Sequence, residues 1–244
     1  ESAVFAYLPA ENLQNPADGY NANPPVTVQV KALLQGAYNM TTLLQNTQLR
    51  NNNLLPALQP FNTLPWNYAG TETAATLPAN TVDWVLLEVY NPDMSLAETH
   101  AALLLNDGTL ANAENGSTGV IFYNLTPGNS YYLALKPRNH LAVISANTVQ
   151  LPNAAGYDFT LPGSAQNSAG NLVQVSAGKY ALKAGDLLAD GVITVADFNL
   201  YLQQGSATGQ YSAADVNLDG NITIADFNLY QPNAGAIAVA LLRY

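Results

Sequence analysis

The sequence has no cysteine, few charged residues and no long apolar run. Without cysteine, neither a disulfide framework nor thiolate chemistry is available. Only 7 Lys and Arg are spread over 244 residues, and the formal charge is −10, which excludes a phosphate-binding surface for nucleic acid. No stretch approaches the ~20 apolar residues of a transmembrane helix. We therefore expect no nucleic-acid partner and no membrane span.

The composition predicts a folded protein with an unusually neutral surface. Apolar residues make up 48% of the chain, which is enough for a sizeable core. Charged residues make up 10%, against about 25% in ordinary soluble domains, and weak charge repulsion favours packing against other proteins or copies of the same chain. The chain begins at Glu1 instead of Met, which fits an exported protein whose signal peptide has been removed. We expect an extracellular or cell-surface location.

Most of the chain has the pattern of short strands separated by turns. Apolar and polar residues alternate from Val26 onwards, and turns rich in Gly, Pro and Asn, such as 106–108 and 126–129, separate the segments. This pattern predicts an antiparallel β-sandwich of the Greek-key, immunoglobulin- or fibronectin-like kind. Residues 40–70 fit either a long excursion or a short helix within a loop. The predicted strands are 26–34, 82–90, 100–105, 120–125, 131–136, 140–145, 156–161, 172–176 and 179–182.

The sequence divides into four predicted regions. An N-terminal arm or strand (1–25) precedes the β-sandwich (26–180), which is followed by a small lobe (181–232) and an apolar C-terminal strand (233–244). Each apolar end is able to complete its own sandwich or to add as a strand to the sheet edge of a neighbouring subunit. The sequence is compatible with both arrangements.

The lobe contains an internal repeat. Residues 186–202 and 215–231 are identical at eleven of seventeen positions, with an offset of 29 residues. Six of the 17 carboxylates lie in these segments, which indicates cation ligation. After each acidic loop, the string Thr-(Val/Ile)-Ala-Asp-Phe-Asn-Leu-Tyr predicts a helix with Thr194 or Thr223 as N-cap. The Phe and Leu-Tyr residues of the two helices are predicted to form the apolar contact between the halves.

The second loop has the spacing of a calcium-binding loop. Ca²⁺ takes about six to eight oxygen ligands, and a tight loop brings alternate side chains inward. Gly220 permits the chain reversal, and Ile222 is predicted to pair with Ile193 of the first copy. A pair of solvated Asx turns without metal is the alternative. The predicted ligands are Asp215, Asn217, Asp219, the Asn221 carbonyl, Thr223 and Asp226 in the second loop, and Asp186, Asp190, the Val192 carbonyl, Thr194 and Asp197 in the first.

The repeat resembles the EF-hand loop. With Asp in the twelfth place and no entering helix, it is more similar to the type I dockerin repeat of secreted bacterial proteins. The resemblance covers residues 186–231 and implies the same side-chain ligands, and we expect one or two Ca²⁺ ions. Leu188 departs from the pattern, because Asn or Asp is expected in the third place. The first loop is therefore expected to bind calcium more weakly or to recruit water.

Two further comparisons bear on partners. In dockerins that bind cohesins, the tenth and eleventh loop places often carry hydroxyl groups, whereas here they are Val195-Ala196 and Ile224-Ala225, which are predicted to be packing residues. An integral lobe is therefore favoured over a cohesin ligand. Segments between residues 28 and 146 also resemble a β-sandwich region of secreted Bacteroidota surface proteins. That resemblance implies an exported protein without assigned catalysis.

No catalytic motif is recognisable. His100 and His140 lie outside nucleophile, zinc and phosphate motifs, and His140 is expected to stabilise a turn. The paired carboxylates of a glycosidase leave no local signature.

We predict a non-catalytic, calcium-stabilised structural or adhesive protein that self-associates into a filament or surface layer. The alternative is a carbohydrate- or protein-binding accessory module of a secreted enzyme, with the lobe as docking device. Aromatic residues able to stack on sugars, although expected mostly in the core, are Trp66, Trp84, Tyr131 and Tyr132.

Overall fold

The computed structural model describes residues 23–244, so the predicted N-terminal arm lies almost wholly outside the described residues. The strands are β1 (Val26–Val28), β2 (Val30–Lys31), β3 (Tyr38–Asn39), β4 (Leu44–Gln45), β5 (Thr81–Tyr90), β6 (Leu96–Leu105), β7 (Leu110–Asn112), β8 (Val120–Phe122), β9 (Ser130–Pro137), β10 (Val143–Ile144), β11 (Val149–Gln150), β12 (Tyr157–Asp158), β13 (Leu172–Ser176) and β14 (Lys179–Leu182). The helices are α1 (Gln48–Asn51), α2 (Ser168–Asn171), α3 (Val195–Gln204) and α4 (Ile224–Tyr230), with 3₁₀ turns at Gln231–Asn233 and Ala240–Leu242.

The largest sheet is built around β5. Its strands follow the order β10-β9-β5-β6-β7, with β11 also paired to β9, and all these pairs are antiparallel. Smaller pairs surround it, of which β12–β2 is parallel. The predicted mainly β, antiparallel sandwich is therefore confirmed. All ten residues of β5 are buried, so both faces of the sheet are covered.

One face of the large sheet packs against the β1–β8 layer. Alternate β5 residues such as Val85 and Leu87 join Val28 of β1 and Phe122 of β8 in a single buried cluster. Each of these side chains is fully excluded from water. Burying a side chain of this size contributes about 1.5–3 kcal/mol, and this cluster is the main core of the sandwich.

One end of the opposite face is covered by residues 40–70, for which the sequence pattern fitted two alternative structures. Both alternatives for residues 40–70 occur in turn, because the short helix α1 is followed by an irregular excursion. Phe61 of this excursion packs with Trp84 and Leu86 of β5, and all three are buried. The excursion therefore shields this end of the sheet from solvent.

The other end of this face is covered by the lobe and the C-terminal tail. Tyr230 and Leu242 pack with Tyr90 of β5 and Ile144 of β10. The prediction that residues 233–244 form a strand is wrong, because they contain only a single bridge at Ile237 and the 3₁₀ turn. The tail crosses the sheet face and the first acidic loop instead of following a sheet edge. None of the helices within residues 23–244 has the length and apolarity to cross a membrane.

Candidate metal centre

The second acidic loop folds around the carboxylate of Asp215. Leu218 and Gly220 adopt positive φ angles of 60° and 87°, which reverse the chain at the fourth and sixth places. Asp215 is fully buried. Its two carboxylate oxygens accept the backbone N–H groups of Asp219 at 3.1 Å and Gly220 at 2.8 Å. The first residue of the loop is thus held by the fifth and sixth.

Asp226 ties the end of the second loop to its beginning. One carboxylate oxygen accepts the backbone N–H groups of Val216 at 2.8 Å and Asn217 at 3.1 Å, and the other accepts Thr223 N–H at 2.7 Å. The Thr223 hydroxyl in turn accepts Ala225 N–H and caps α4, which confirms the predicted N-cap. One carboxylate therefore fixes the loop and starts the helix.

The remaining predicted donors lie in the middle of the second loop. Asp219 accepts the backbone N–H of Asn221 at 2.8 Å and the side-chain amide of Asn217 at 2.9 Å. Asn217 Oδ1 accepts Asp219 N–H at 3.0 Å. The fold therefore brings the predicted side-chain ligands of this loop into one hydrogen-bonded network.

The first loop repeats the same backbone. Ala189 and Gly191 have positive φ angles of 52° and 85° at the equivalent places. Asp186 accepts the backbone N–H groups of Asp190 at 3.1 Å and Gly191 at 3.0 Å. Thr194 caps α3 in the same capping box as its counterpart, which confirms the second predicted N-cap. Duplication of the sequence has thus preserved the geometry of the loop.

The two loops differ at their third place. Leu188 provides no side-chain oxygen and is 37% exposed. Asp197 accepts Leu188 N–H at 3.0 Å and Thr194 N–H at 2.7 Å, so the loop closes as in the second copy. The backbone N–H of Val192 donates to Asp190 at 2.9 Å. The first loop is therefore the same fold with one fewer oxygen donor.

Burial places an electrostatic strain on both loops. Burial raises the pKa of Asp186 to about 8, and repulsion from Asp197 and Asp190 adds to the effect. Burial also raises the pKa of Asp215 to about 7 and the pKa values of Asp197 and Asp226 above their usual range. The ion pairs found among residues 23–244 involve none of these loop carboxylates. A bound cation would stabilise the charged form of these buried carboxylates and lower their pKa values.

The donor chemistry of the loops is that of a hard cation. Within the described part of the chain, no three His, Cys, Asp or Glu side chains form a cluster able to hold a metal ion by themselves. Carboxylates, the amide of Asn217, the hydroxyl of Thr223 and the carbonyl of Asn221 would have to share the ligation. All of these groups are oxygen donors, which suit Ca²⁺ better than Zn²⁺ or Cu²⁺.

The two loops do not pair with each other as predicted. Ile193 N–H donates to the carbonyl of Ala236 at 2.9 Å, and Ile222 N–H donates to the carbonyl of Ala207 at 2.8 Å. Ala207 and Ala236 are themselves separated by the repeat offset of 29 residues. The segment that follows the helix of each repeat runs alongside the eighth residue of the other repeat's loop. Each loop thus pairs with a segment of the other repeat. The predicted contact between Ile193 and Ile222 is wrong.

The predicted aromatic contact between the repeats is confirmed. The rings of Phe198 and Phe227 are 5.6 Å apart. Tyr201 donates its hydroxyl to the Thr223 carbonyl at 3.0 Å, and Tyr230 donates to the Thr194 carbonyl at 2.8 Å. Each helix therefore holds the ninth place of the other loop.

Side chains of the β body anchor the second loop. Asn139 donates its amide to the carbonyls of Asp215 at 2.7 Å and Ala213 at 3.1 Å. Asn46 donates to the carbonyl of Asn217 at 2.7 Å. Sequence reasoning missed these contacts, because they join positions 76 and 171 residues apart without any local motif. The first and third places of the loop are thus fixed to the sandwich.

A buried arginine reinforces this attachment. Arg138 forms an ion pair with Asp83 of β5 at 3.0 Å and lies over the ring of Tyr211 at 4.1 Å. Tyr211 donates its hydroxyl to Asp83 at 2.6 Å, and Arg138 also donates to the carbonyl of Ser212. Because the partners are buried, loss of one of them would leave an uncompensated charge in the interior. The chain leading into the second loop is therefore firmly held.

His140 and two of the four candidate sugar-stacking residues lie inside the folded body. His140 is buried, accepts Gly36 N–H at 3.1 Å and lies 2.8 Å from Asn139 Oδ1. Burial lowers its pKa to about 3, so it is neutral and stabilises the chain as predicted. Trp84 and Tyr131 are 0% and 4% exposed, so neither offers a ring face to a ligand.

The tenth loop places are exposed. Val195 and Ile224, the first residues of α3 and α4, are 68% and 67% exposed. The prediction that they are packing residues is wrong, because each helix turns its first residue away from the aromatic contact. The lobe therefore presents two equivalent apolar side chains to solvent.

No family model and no curated protein matches the sequence. Among solved structures, one similar chain belongs to a type II cohesin–X-dockerin complex from Acetivibrio cellulolyticus, an N-terminal interface mutant. The identity is 15%, the match covers 63% of this chain and 81% of that chain, and the TM-score is 0.38. A likeness this distant assigns neither a family nor a function.

Proposed function

We propose that this chain is a non-catalytic, extracellular structural or adhesive module in which calcium fastens the duplicated lobe to the β-sandwich. One observation carries the proposal. The Asp215 carboxylate is the centre of the second loop, while the Asp215 carbonyl is held by Asn139 of the β body. A cation at this loop would therefore stabilise the lobe and its attachment together.

The second loop would hold calcium through Asp215, Asn217, Asp219, the Asn221 carbonyl, Thr223 and Asp226. The first loop would use Asp186, Asp190, the Val192 carbonyl, Thr194 and Asp197. The cation would supply positive charge to buried carboxylates, and its binding free energy would add to the folding free energy. The side chains of the loop orient the oxygens, and the capping threonines begin the helices. Because Leu188 contributes no oxygen, we propose that the first loop is the weaker site.

We further propose that the module works by protein–protein contact, most directly with copies of itself. The low charge of the chain and the exposed Val195 and Ile224 support this role, because a neutral surface with apolar side chains favours association. The second candidate is a docking device for a different protein, and the same exposed pair supports it.

Calcium-dependent unfolding tests the metal proposal. Thermal unfolding is measured in excess calcium and in excess chelator for the wild type, for Asp219→Asn in the second loop and for the exposed control Asp93→Asn. At 100-fold excess over the dissociation constant, calcium stabilises by about 2.7 kcal/mol. For a chain of this size we expect a rise in Tm of about 5–10 °C. Asp219→Asn should lose most of this rise, and Asp93→Asn should keep it. Equal Tm values with and without calcium would contradict the proposal.

Light scattering during size-exclusion chromatography tests the association. We expect calcium-loaded protein to form species larger than the monomer as its concentration rises, and the double variant Val195→Ser/Ile224→Ser to remain smaller. The control Leu64→Ser changes a 79% exposed residue outside the lobe. A monomer at all concentrations would contradict self-association and would favour the docking of Val195 and Ile224 to another protein.

A further inference from the structure

A separate cleft of about 260 Å³ opens on the β body, and none of its lining residues belongs to the lobe. It lies between the excursion at residues 68–72, strand β6, the turn after β7 and the end of β8. Tyr68 and Tyr123 contribute rings, and Glu72, His100 and Glu114 contribute charged groups. In a chain with only 10% charged residues, this is a notable concentration of polar chemistry.

The carboxylate on the excursion side is held in a fixed orientation. Glu72 Oε1 accepts Ala101 N–H at 3.1 Å and lies 3.2 Å from His100 Nδ1, and it also accepts the Tyr68 hydroxyl. Glu72 Oε2 is buried and receives no donor from residues 23–244. The backbone therefore fixes the carboxylate, and one of its oxygens has no hydrogen-bond donor within this part of the chain.

The carboxylate on the other side of the imidazole is fixed in the same way. Glu98 accepts Asn124 N–H at 2.8 Å and Tyr123 N–H at 3.0 Å, and its Oε1 lies 2.8 Å from His100 Nε2. The imidazole is thereby locked between two carboxylates, and its ring is nearly perpendicular to that of Phe122, with 4.9 Å between the ring centroids. Groups positioned by a second layer of hydrogen bonds are typical of preorganised binding sites.

The charge within this cluster is only partly balanced. Burial lowers the pKa of His100, but its hydrogen bonds to Glu72 and Glu98 outweigh burial and raise the pKa to about 9. The imidazole is therefore protonated at neutral pH and acts as the counter-ion of the two carboxylates. Of this cluster, Glu72 and His100 line the cleft, whereas Glu98 supports the imidazole from behind it.

We propose that this cleft binds a single sugar ring of a saccharide. Sugar hydroxyl groups donate to fixed carboxylates, and the C–H face of a sugar ring packs on aromatic rings such as those of Tyr68 and Tyr123. The volume lies just below the roughly 300–1,000 Å³ of pockets for drug-sized ligands, which suits a single ring. Glu114 at the exposed rim disfavours phosphate and sulfate groups. The site is independent of the calcium loops.

The two histidines allow a direct test by NMR. His100 lines the cleft, whereas His140 is buried in the body and serves as an internal control. The calcium-loaded chain is titrated with methyl glycosides of glucose, galactose, mannose and N-acetylglucosamine while the imidazole signals are recorded. We expect at least one glycoside to shift the His100 signals in a saturable way, with a dissociation constant of about 1 mM, and to leave His140 unchanged.

Variants locate the binding. Tyr123→Ala and the milder Glu114→Gln should weaken the binding of that glycoside at least about tenfold, while the control Asp93→Asn should bind as the wild type does. Unchanged His140 signals show that each variant is folded. No saturable shift with any of the four glycosides would overturn the proposal. A saturable shift caused by lysine amide or arginine amide but by none of the glycosides would also overturn it, in favour of a cation site.

Discussion

Replacement of Asn139 by alanine tests whether the second loop is fastened to the β body. Asn139 is fully buried and donates to two carbonyls, those of Asp215 and Ala213. Each carbonyl left without a donor in the interior costs about 1–3 kcal/mol. His140 Nδ1 also loses its partner on Asn139. We therefore expect Asn139→Ala to lower the free energy of unfolding by about 4 kcal/mol, which is large for a single polar side chain.

A matched control separates this effect from simple loss of volume. Asn171 is also fully buried, but its amide makes only a 3.4 Å hydrogen bond and its Oδ1 receives no donor from the described residues. Asn171→Ala removes the same atoms from a buried site without touching the lobe. We expect it to cost no more than about 1.5 kcal/mol. Urea unfolding of both variants, followed by tryptophan fluorescence, measures the difference.

Calcium titration of the same two variants extends the test to the proposed metal site. In Asn139→Ala the carbonyl of Asp215 is no longer held, so the loop must be ordered when the ion binds and the affinity should fall about tenfold or more. Asn171→Ala should bind as the wild type does. Equal losses of stability in the two variants, together with equal calcium affinities, would refute the argument that the loop is fixed from the β body.

Three further predictions address the loops and the cleft. Leu188→Asn restores an oxygen at the third place, so calorimetry should show tighter calcium binding at the first loop; unchanged binding at this loop would contradict its predicted weakness. In chelator, the raised pKa values of Asp186 and Asp215 mean that the folded state binds more protons than the unfolded state, so stability should fall as pH rises from about 4 to about 8. The same free energy of unfolding in urea at every pH in this range would contradict this prediction. The folded pKa of His100 lies above the ordinary 6.5, so its stabilising contribution is fully present below about pH 6.5 and is lost as pH rises through about 9. The stability difference between wild type and His100→Gln should shrink over that window.

Local sequence patterns were sufficient for several strands and for the loops. Short apolar segments separated by turn residues predicted β5, β13 and β14 to within a residue, because turn residues mark where strands end. The capping threonines Thr194 and Thr223 were predictable for a similar reason, since a cap acts within three residues of itself. Both kinds of signal are contained within a few neighbouring residues.

Features that depend on distant residues were not predictable. The excursion gave no periodic pattern, because Phe61 and its neighbours pack on the sheet from an irregular backbone. The exposure of Val195 and Ile224 followed from the direction in which each helix leaves its loop, which apolar character alone does not show. Glu72 and His100 meet across 28 residues without a shared motif, so the cleft was invisible before the fold was known.

The exchange of segments between the two repeats explains why the chain continues past the second helix. The first loop donates Ile193 N–H to the carbonyl of Ala236, in the segment that follows α4, and the second loop donates Ile222 N–H to the carbonyl of Ala207, in the linker after α3. A chain ending at α4 would leave Ile193 without the partner that Ile222 keeps. The tyrosines of the helices cross in the same way, from each repeat to the threonine carbonyl of the other. Ordering of one loop therefore supports the other, and the tail that completes the first loop also carries Leu242 onto the large sheet.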